Sequence, residues 1–277
     1  MKGTWITVLA LLVLTGCGGG GLHDGGCDGG CVDGNDFLSA GDVDNVIARS
    51  VREADARGAQ ATVAVVDRVG NVLGVYQMPS ANSSVTITSP YPVDGGLEDL
   101  AFIPATLAAI SKAITGAYLS SEGNAFSTRT AGQIVQEHFN PGEVGQPSGP
   151  LFGVQFSQLA CSDLTLTESD AQLGPKRSPL GLAADSGGFP LYKDGTVVGG
   201  VGVIADGRYS FDANLADDEF SLDEVIARAG AQAFPAPENR QGERITLEGK
   251  VFRYAEMEPG DTRTGGNPPA LGSLPGS

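Results

Sequence analysis

Three adjoining pieces decide the fold: Ala61-Thr-Val-Ala-Val-Val66, then Asp67-Arg-Val-Gly-Asn71, then Val72-Leu-Gly-Val-Tyr-Gln77. The first is apolar and β-branched almost throughout, the composition of a strand buried on both faces. The second is a tight turn, with Asp, Gly and Asn as its turn-formers. The third resumes with β-formers, so the chain returns alongside itself as a hairpin. A second hairpin is predicted further on, from Leu191 to Lys193, a turn at Asp194-Gly195, and Thr196 to Ala205.

Helical patterns surround these hairpins. Ser39-Ala-Gly-Asp42 reads as a capped helix start. Val43, Val46, Ile47, Val51 and Ala54 then recur at helical spacing until Gly58. Ala105 to Leu119 is a helix rich in Ala and Gly, suited to lie close on a sheet through Ala109, Ala113 and Gly116. Thr130 to Phe139 is a further helix, with Ala131, Ile134, Val135, His138 and Phe139 as its apolar face, stopped by Asn140-Pro-Gly142. Ser221-Leu-Asp-Glu224 is a capping box that opens another, which Pro235 ends, and Ile245 to Tyr254 is a short terminal hairpin. Between the first hairpin and the Ala-rich helix, Pro79 to Pro104 shows no clear period and reads as an inserted loop. Hairpins separated by helices imply an α+β fold, an antiparallel sheet flanked by helices.

The N-terminus carries an address. Lys2 precedes a short apolar run, Trp5 to Leu14, which closes on Leu14-Thr-Gly-Cys17. A spanning helix needs about 20 apolar residues, so this is a signal peptide. Its ending resembles the bacterial lipobox, which implies a lipidated Cys17 as the mature N-terminus, a membrane anchor in the cell envelope and, with Gly18 in place of Asp, the outer membrane. Ordinary secretion with a free Cys17 thiol is the alternative. Residues 18–36 are a Gly-rich flexible tether and 260–277 a Pro- and Gly-rich disordered tail. The globular domain is expected over 37–259, with the insert at 79–104 and an extension after 234.

The formal net charge of −16 argues against nucleic-acid binding and against a polybasic membrane patch. Cys27, Cys31 and Cys161 allow one disulfide and a free thiol, with the pairing open. Gly200-Val-Gly202-Val-Ile-Ala205 matches a dinucleotide motif on paper. It sits inside a strand with no helix behind it, so the glycines read as close-packing positions. Asp185-Ser186-Gly187-Gly188 is similar to a serine-protease nucleophile loop but lacks a base. A multi-histidine zinc site is excluded by count. His138 lies on an apolar helix face, where it reads either as a core residue or as a haem ligand, for which one imidazole suffices.

Four segments in order resemble the GlcG/HbpS family, also called the haem-degrading domain family. They are Thr62-Val-Ala-Val-Val-Asp67-Arg-Val-Gly70-Asn71-Val-Leu73, Ser111-Lys112-Ala113-Ile-Thr115-Gly-Ala117, Gly187-Gly188-Phe189-Pro190-Leu191, and Gly199-Gly200-Val-Gly202-Val203. The match covers roughly 40–80 and 105–234. The insert, the segment from Asn124 to Arg177 and the extension mark a longer branch. The resemblance implies a profilin- or PAS-like α+β fold, a homo-oligomer, and haem or a related tetrapyrrole as ligand. On that footing His138 is the expected iron ligand and Met78 the second choice. Phe126, Phe152 and Phe189 are expected walls, and Lys112 and Arg129 partners of the haem propionates. Each of these also has a structural reading. No catalytic residue is assigned, and binding rather than catalysis is expected. The alternative is a structural or protein-interaction module with no cofactor.

Overall fold

The computed structural model describes residues 36–88, 99, 101–136, 149–150, 180–210, 212 and 219–256. Helix α1 (Ala40–Ala56) starts where the cap predicts. The Ser39 hydroxyl accepts the Asp42 N–H at 3.3 Å, and Asp42 Oδ2 accepts the Ser39 N–H at 2.8 Å. Val43, Val46, Ile47, Val51 and Ala54 are all buried, so the helical stripe is its core face. Each larger aliphatic side chain so placed contributes roughly 1.5–3 kcal/mol.

Strands β1 (Thr62–Asp67) and β2 (Val72–Gln77) form the first hairpin. Asp67 Oδ1 holds its turn by accepting the Val69 and Asn71 N–H groups at 2.9 and 2.8 Å, with Gly70 at φ 81°. Strands β5 (Gly188–Lys193) and β6 (Thr196–Ile204) form the second. The hairpins join through β1 and β6, paired from Thr62↔Ile204 to Asp67↔Gly199, into one antiparallel sheet ordered β2-β1-β6-β5.

Strands β1, β6 and β5 are buried on both faces while the edge strand β2 is largely exposed, and period-two alternation sorts the side chains. Val63 and Val65 enter the core shared with α1 and with α4 (Leu222–Ala231). Ala64 and Val66 enter the core shared with α2 (Ala105–Tyr118). On the α2 side the residues are small. A Cβ at Gly200 would overlap the Ala113 carbonyl oxygen, one at Gly202 that of Ala109, and one at Gly116 the backbone of Phe189. The Gly200–Ile204 run is therefore strand that lets a helix approach, as its context in the sequence indicated, and no helix starts there or at Ala205.

Two expectations are corrected. The stretch from Pro79 to Pro104 is not all loop. It contains β3 (Ser84–Thr88), which pairs antiparallel with β4 (Ile103–Pro104) and parallel with β7 (Arg208–Ser210). Val85 and Ile87 alternate into the core beside α2, a period too short to stand out between flanking polar residues. The second correction concerns α3 (Thr128–Ile134). It starts at Thr128, two residues before the predicted start, capped by Ser127, whose hydroxyl accepts the Thr130 N–H at 3.2 Å. It ends at Ile134 rather than Phe139, and Gln136 Nε2 turns back to the Gly132 carbonyl at 3.0 Å. The terminal hairpin is β8 (Thr246–Leu247) with β9 (Lys250–Val251). Among the described residues no helix is long and apolar enough to cross a membrane.

Candidate functional site

The cations singled out in the sequence lie at the junction of α2, α3 and α4 with the start of β5. Lys112, on α2, is fully buried. Its Nζ lies 2.8 Å from Asp185 Oδ2 and 2.6 Å from Asp223 Oδ2, and it donates to the Ser186 carbonyl at 2.8 Å. The contacts to Ser186 and Asp223 are hydrogen bonds, while Asp185 Oδ2, buried without a hydrogen-bond partner, is held by charge. Burial pulls its pKa down, but the charges of Asp185, Asp223 and Asp206 outweigh that and hold it above the ordinary lysine value. The carboxylates move up as well. Burial pushes Asp185 to about 7 against the pull of Lys112, with Asp223 and Asp206 adding to the rise. Asp223 is also raised, chiefly by burial. Its oxygens accept Lys112 Nζ and the N–H groups of Ala205 and Asp206, at 2.6, 2.7 and 3.3 Å. Asp185 has the Lys112 ion pair and a 3.4 Å contact from Ser210 Oγ. Asp185 is the carboxylate with fewer donors, so its charged form is the less supported of the two.

Arg129, on α3, is the second cluster. Its Nε and Nη2 grip Glu224 at 2.8 and 3.2 Å, and Nη1 reaches Glu256 at 2.8 Å and Asp212 at 3.4 Å. Burial lowers its pKa, but these carboxylates, Glu224 foremost, raise it overall. Burial likewise raises Glu256 against the pull of Arg129. The pairing ties α3 to the first turn of α4 and to the segment after Pro235. It also changes the reading of Ser221-Leu-Asp-Glu224. Ser221 Oγ accepts the Glu224 N–H at 3.2 Å, while the Glu224 carboxylate turns inward to Arg129.

The remaining expected site residues divide three ways. Met78 is buried in the core beneath α1, and its sulfur accepts the Ala61 N–H at 3.2 Å. Phe189 is fully buried, edge-on to Tyr254 at 5.5 Å between ring centres. Phe126 is half-buried, edge-on to Phe252 at 5.4 Å. His138, Phe152 and Cys17 lie outside the described residues, which include neither His nor Cys. Among the described residues no group of His, Cys, Asp and Glu is arranged to hold a metal ion. Lys112 and Arg129, expected to meet haem propionates, are both paired with internal carboxylates. Ser186 of the protease-like loop donates to Ser221 Oγ at 2.9 Å, with no imidazole among the described residues to activate it.

A cavity of about 630 Å³ also opens where α4 meets the segment after Pro235. Arg228, Gln232, Pro235, Gln241, Arg244 and Tyr254 are among its walls. The sequence reading singled out none of them. An arginine between the apolar Val225, Ala227 and Ala229 of a buried helix is the signal that was there to read.

No protein-family model and no curated protein matches the chain. Among solved structures it is similar to a PduOC:haem complex, at TM-score 0.42 and 19% identity over 73% of this chain and 97% of that one. It is similar to the Klebsiella pneumoniae protein ORFY, at TM-score 0.39 and 18% identity over 75% and 97%. It is similar to a double mutant of Streptomyces reticuli HbpS, at TM-score 0.36 and 21% identity over 75% and 93%.

Proposed function

We propose that the chain is a lipid-anchored domain of the GlcG/HbpS kind that binds haem or a related tetrapyrrole outside the cytoplasm. One observation carries the family reading. The four quoted segments, far apart in sequence, converge on one sheet: the Thr62–Leu73 hairpin lies beside the Gly199–Val203 strand, and the Ser111–Ala117 helix rests on that strand's glycines. The ligand comes from the family resemblance and the anchor from the Leu14-Thr-Gly-Cys17 ending. Scavenging, sensing and breakdown of haem are the roles this reading accommodates.

Met78, Lys112, Arg129 and Phe189 are occupied by internal contacts. That leaves His138 for the iron, with Phe152 and Phe126 for the ring faces. When bound, the group would supply redox or ligand-binding chemistry at iron, and His138 would hold and orient it. The test is haem titration of the wild type and of His138→Ala, followed by the Soret band. A Soret band in the wild type that weakens or shifts in the variant is expected. An unchanged spectrum and affinity in the variant removes His138. No Soret band in the wild type overturns the haem reading in favour of a structural or interaction module, which the commitment of Lys112 and Arg129 to internal ion pairs favours.

A further inference from the structure

The cavity beside α4 has walls from two sources. Arg228 and Gln232 come from the helix, and Gln241, Arg244 and Tyr254 from the segment after Pro235, which lies beyond the family-like region. Arg228 is 8% exposed. Its guanidinium carbon lies 5.5 Å from the Phe189 ring centre and 5.1 Å from that of Tyr254. Rings against the guanidinium leave its N–H edges as the polar surface. Among the described residues no carboxylate pairs with that guanidinium and no acceptor takes its N–H groups. The contrast with Lys112 and Arg129, each saturated by carboxylates, is within the same molecule. A buried charge without a counterion is costly, and stacking on aromatic rings offsets only part of that cost. Arg228 lines a cavity of a size typical for small molecules.

The geometry points to a carboxylate-binding site in which Arg228 receives the carboxylate group of a small organic acid, two N–H groups meeting two oxygens side by side. The walls favour a singly charged, planar head over phosphate. One buried guanidinium matches one carboxylate, and exposed Glu238 and Glu243 stand beside Arg244 among the lining residues, where they repel a more highly charged anion. The inference does not depend on haem binding. The carboxylate belongs either to a free acid or to a propionate of a bound tetrapyrrole.

The experiment is thermal unfolding of the full-length protein in sodium propionate, with sodium chloride at equal ionic strength and inorganic phosphate as comparisons. At a hundredfold excess over Kd, propionate is expected to raise Tm saturably by about 5–10 °C in the wild type. Arg228→Gln abolishes the rise. Arg228→Lys keeps the charge and loses the side-by-side geometry, so its propionate Kd rises at least about tenfold; it also serves if the Gln variant does not fold. Propionate acting no differently from chloride, phosphate acting as strongly as propionate, or a propionate response intact in both variants overturns the proposal. A parallel haem titration identifies the source. Haem affinity that falls in Arg228→Lys together with propionate affinity assigns the carboxylate to the tetrapyrrole. Haem affinity unchanged in a variant that has lost propionate binding assigns it to a free acid.

Discussion

Lys112 is a lysine in the middle of an alanine-rich helix, and its ammonium ends between two carboxylates. The charge made it conspicuous in the sequence. Where the charge would go was not legible, because Asp185 and Asp223 lie 73 and 111 positions away. The cluster has a pH signature. The folded-state pKa of Asp185 is raised from 3.8 to about 7, so folding binds a proton that the unfolded chain releases. That contribution to stability is fully present below pH 3.8 and is lost as the pH rises through 7. Asp185→Asn is therefore expected to flatten the difference in Tm between pH 5 and pH 7.5. An undiminished difference assigns the titration elsewhere. Arg129 obeys a harsher rule. Removing one partner of a buried ion pair strands the other, so Arg129→Ala is expected to destabilise the fold by about 3–5 kcal/mol in urea unfolding. A loss under about 1 kcal/mol shows that water already reaches Glu224 and Glu256.

At the scale of elements, the caps and hairpins were written locally. Ser39 with Asp42, Ser221 with Glu224, and the Asp67 to Asn71 turn each use side chains within a few residues of the backbone they satisfy, and all formed where they were read. The glycines of β6 tell a different story. Inside a strand they weaken it, and their use appears only when α2 is laid across them. Gly202→Ala puts a methyl group against the Ala109 carbonyl. A cost of about 1–3 kcal/mol is expected, with altered near-ultraviolet circular dichroism as the packing shifts. Gly249→Ala is the comparison: its φ of 81° strains the backbone, which the strand conformation of Gly202 does not, but no atom lies within 4 Å of the added Cβ. Near-ultraviolet spectra changed equally by both remove the packing explanation. The strand Ser84–Thr88 was missed for a related reason. Its partners are 15 or more residues away, and one of them, Arg208–Ser210, is a three-residue strand with no pattern of its own.

At the scale of the whole molecule, the anchor is a prediction of the sequence. Wild-type protein is expected in the membrane fraction, and Cys17→Ser in the soluble fraction or unprocessed. Wild type that is wholly soluble with a free mature N-terminus overturns it. Charge composition and the lipobox-like ending need no tertiary contact, because solvent and processing enzymes read them along the chain. The two hairpins and the α+β class were legible for the same reason: periodicity and turn chemistry act over a few residues. Which carboxylate meets which cation was not legible, nor that Met78 gives its sulfur to Ala61, nor that Arg228 is left with aromatic rings and a cavity. Those outcomes rest on side chains brought together by the β1–β6 pairing and by the return of the segment after Pro235. A buried charge is stable only against partners that the completed fold supplies, so local patterns along the chain set the framework and the assembled fold sets the electrostatics within it.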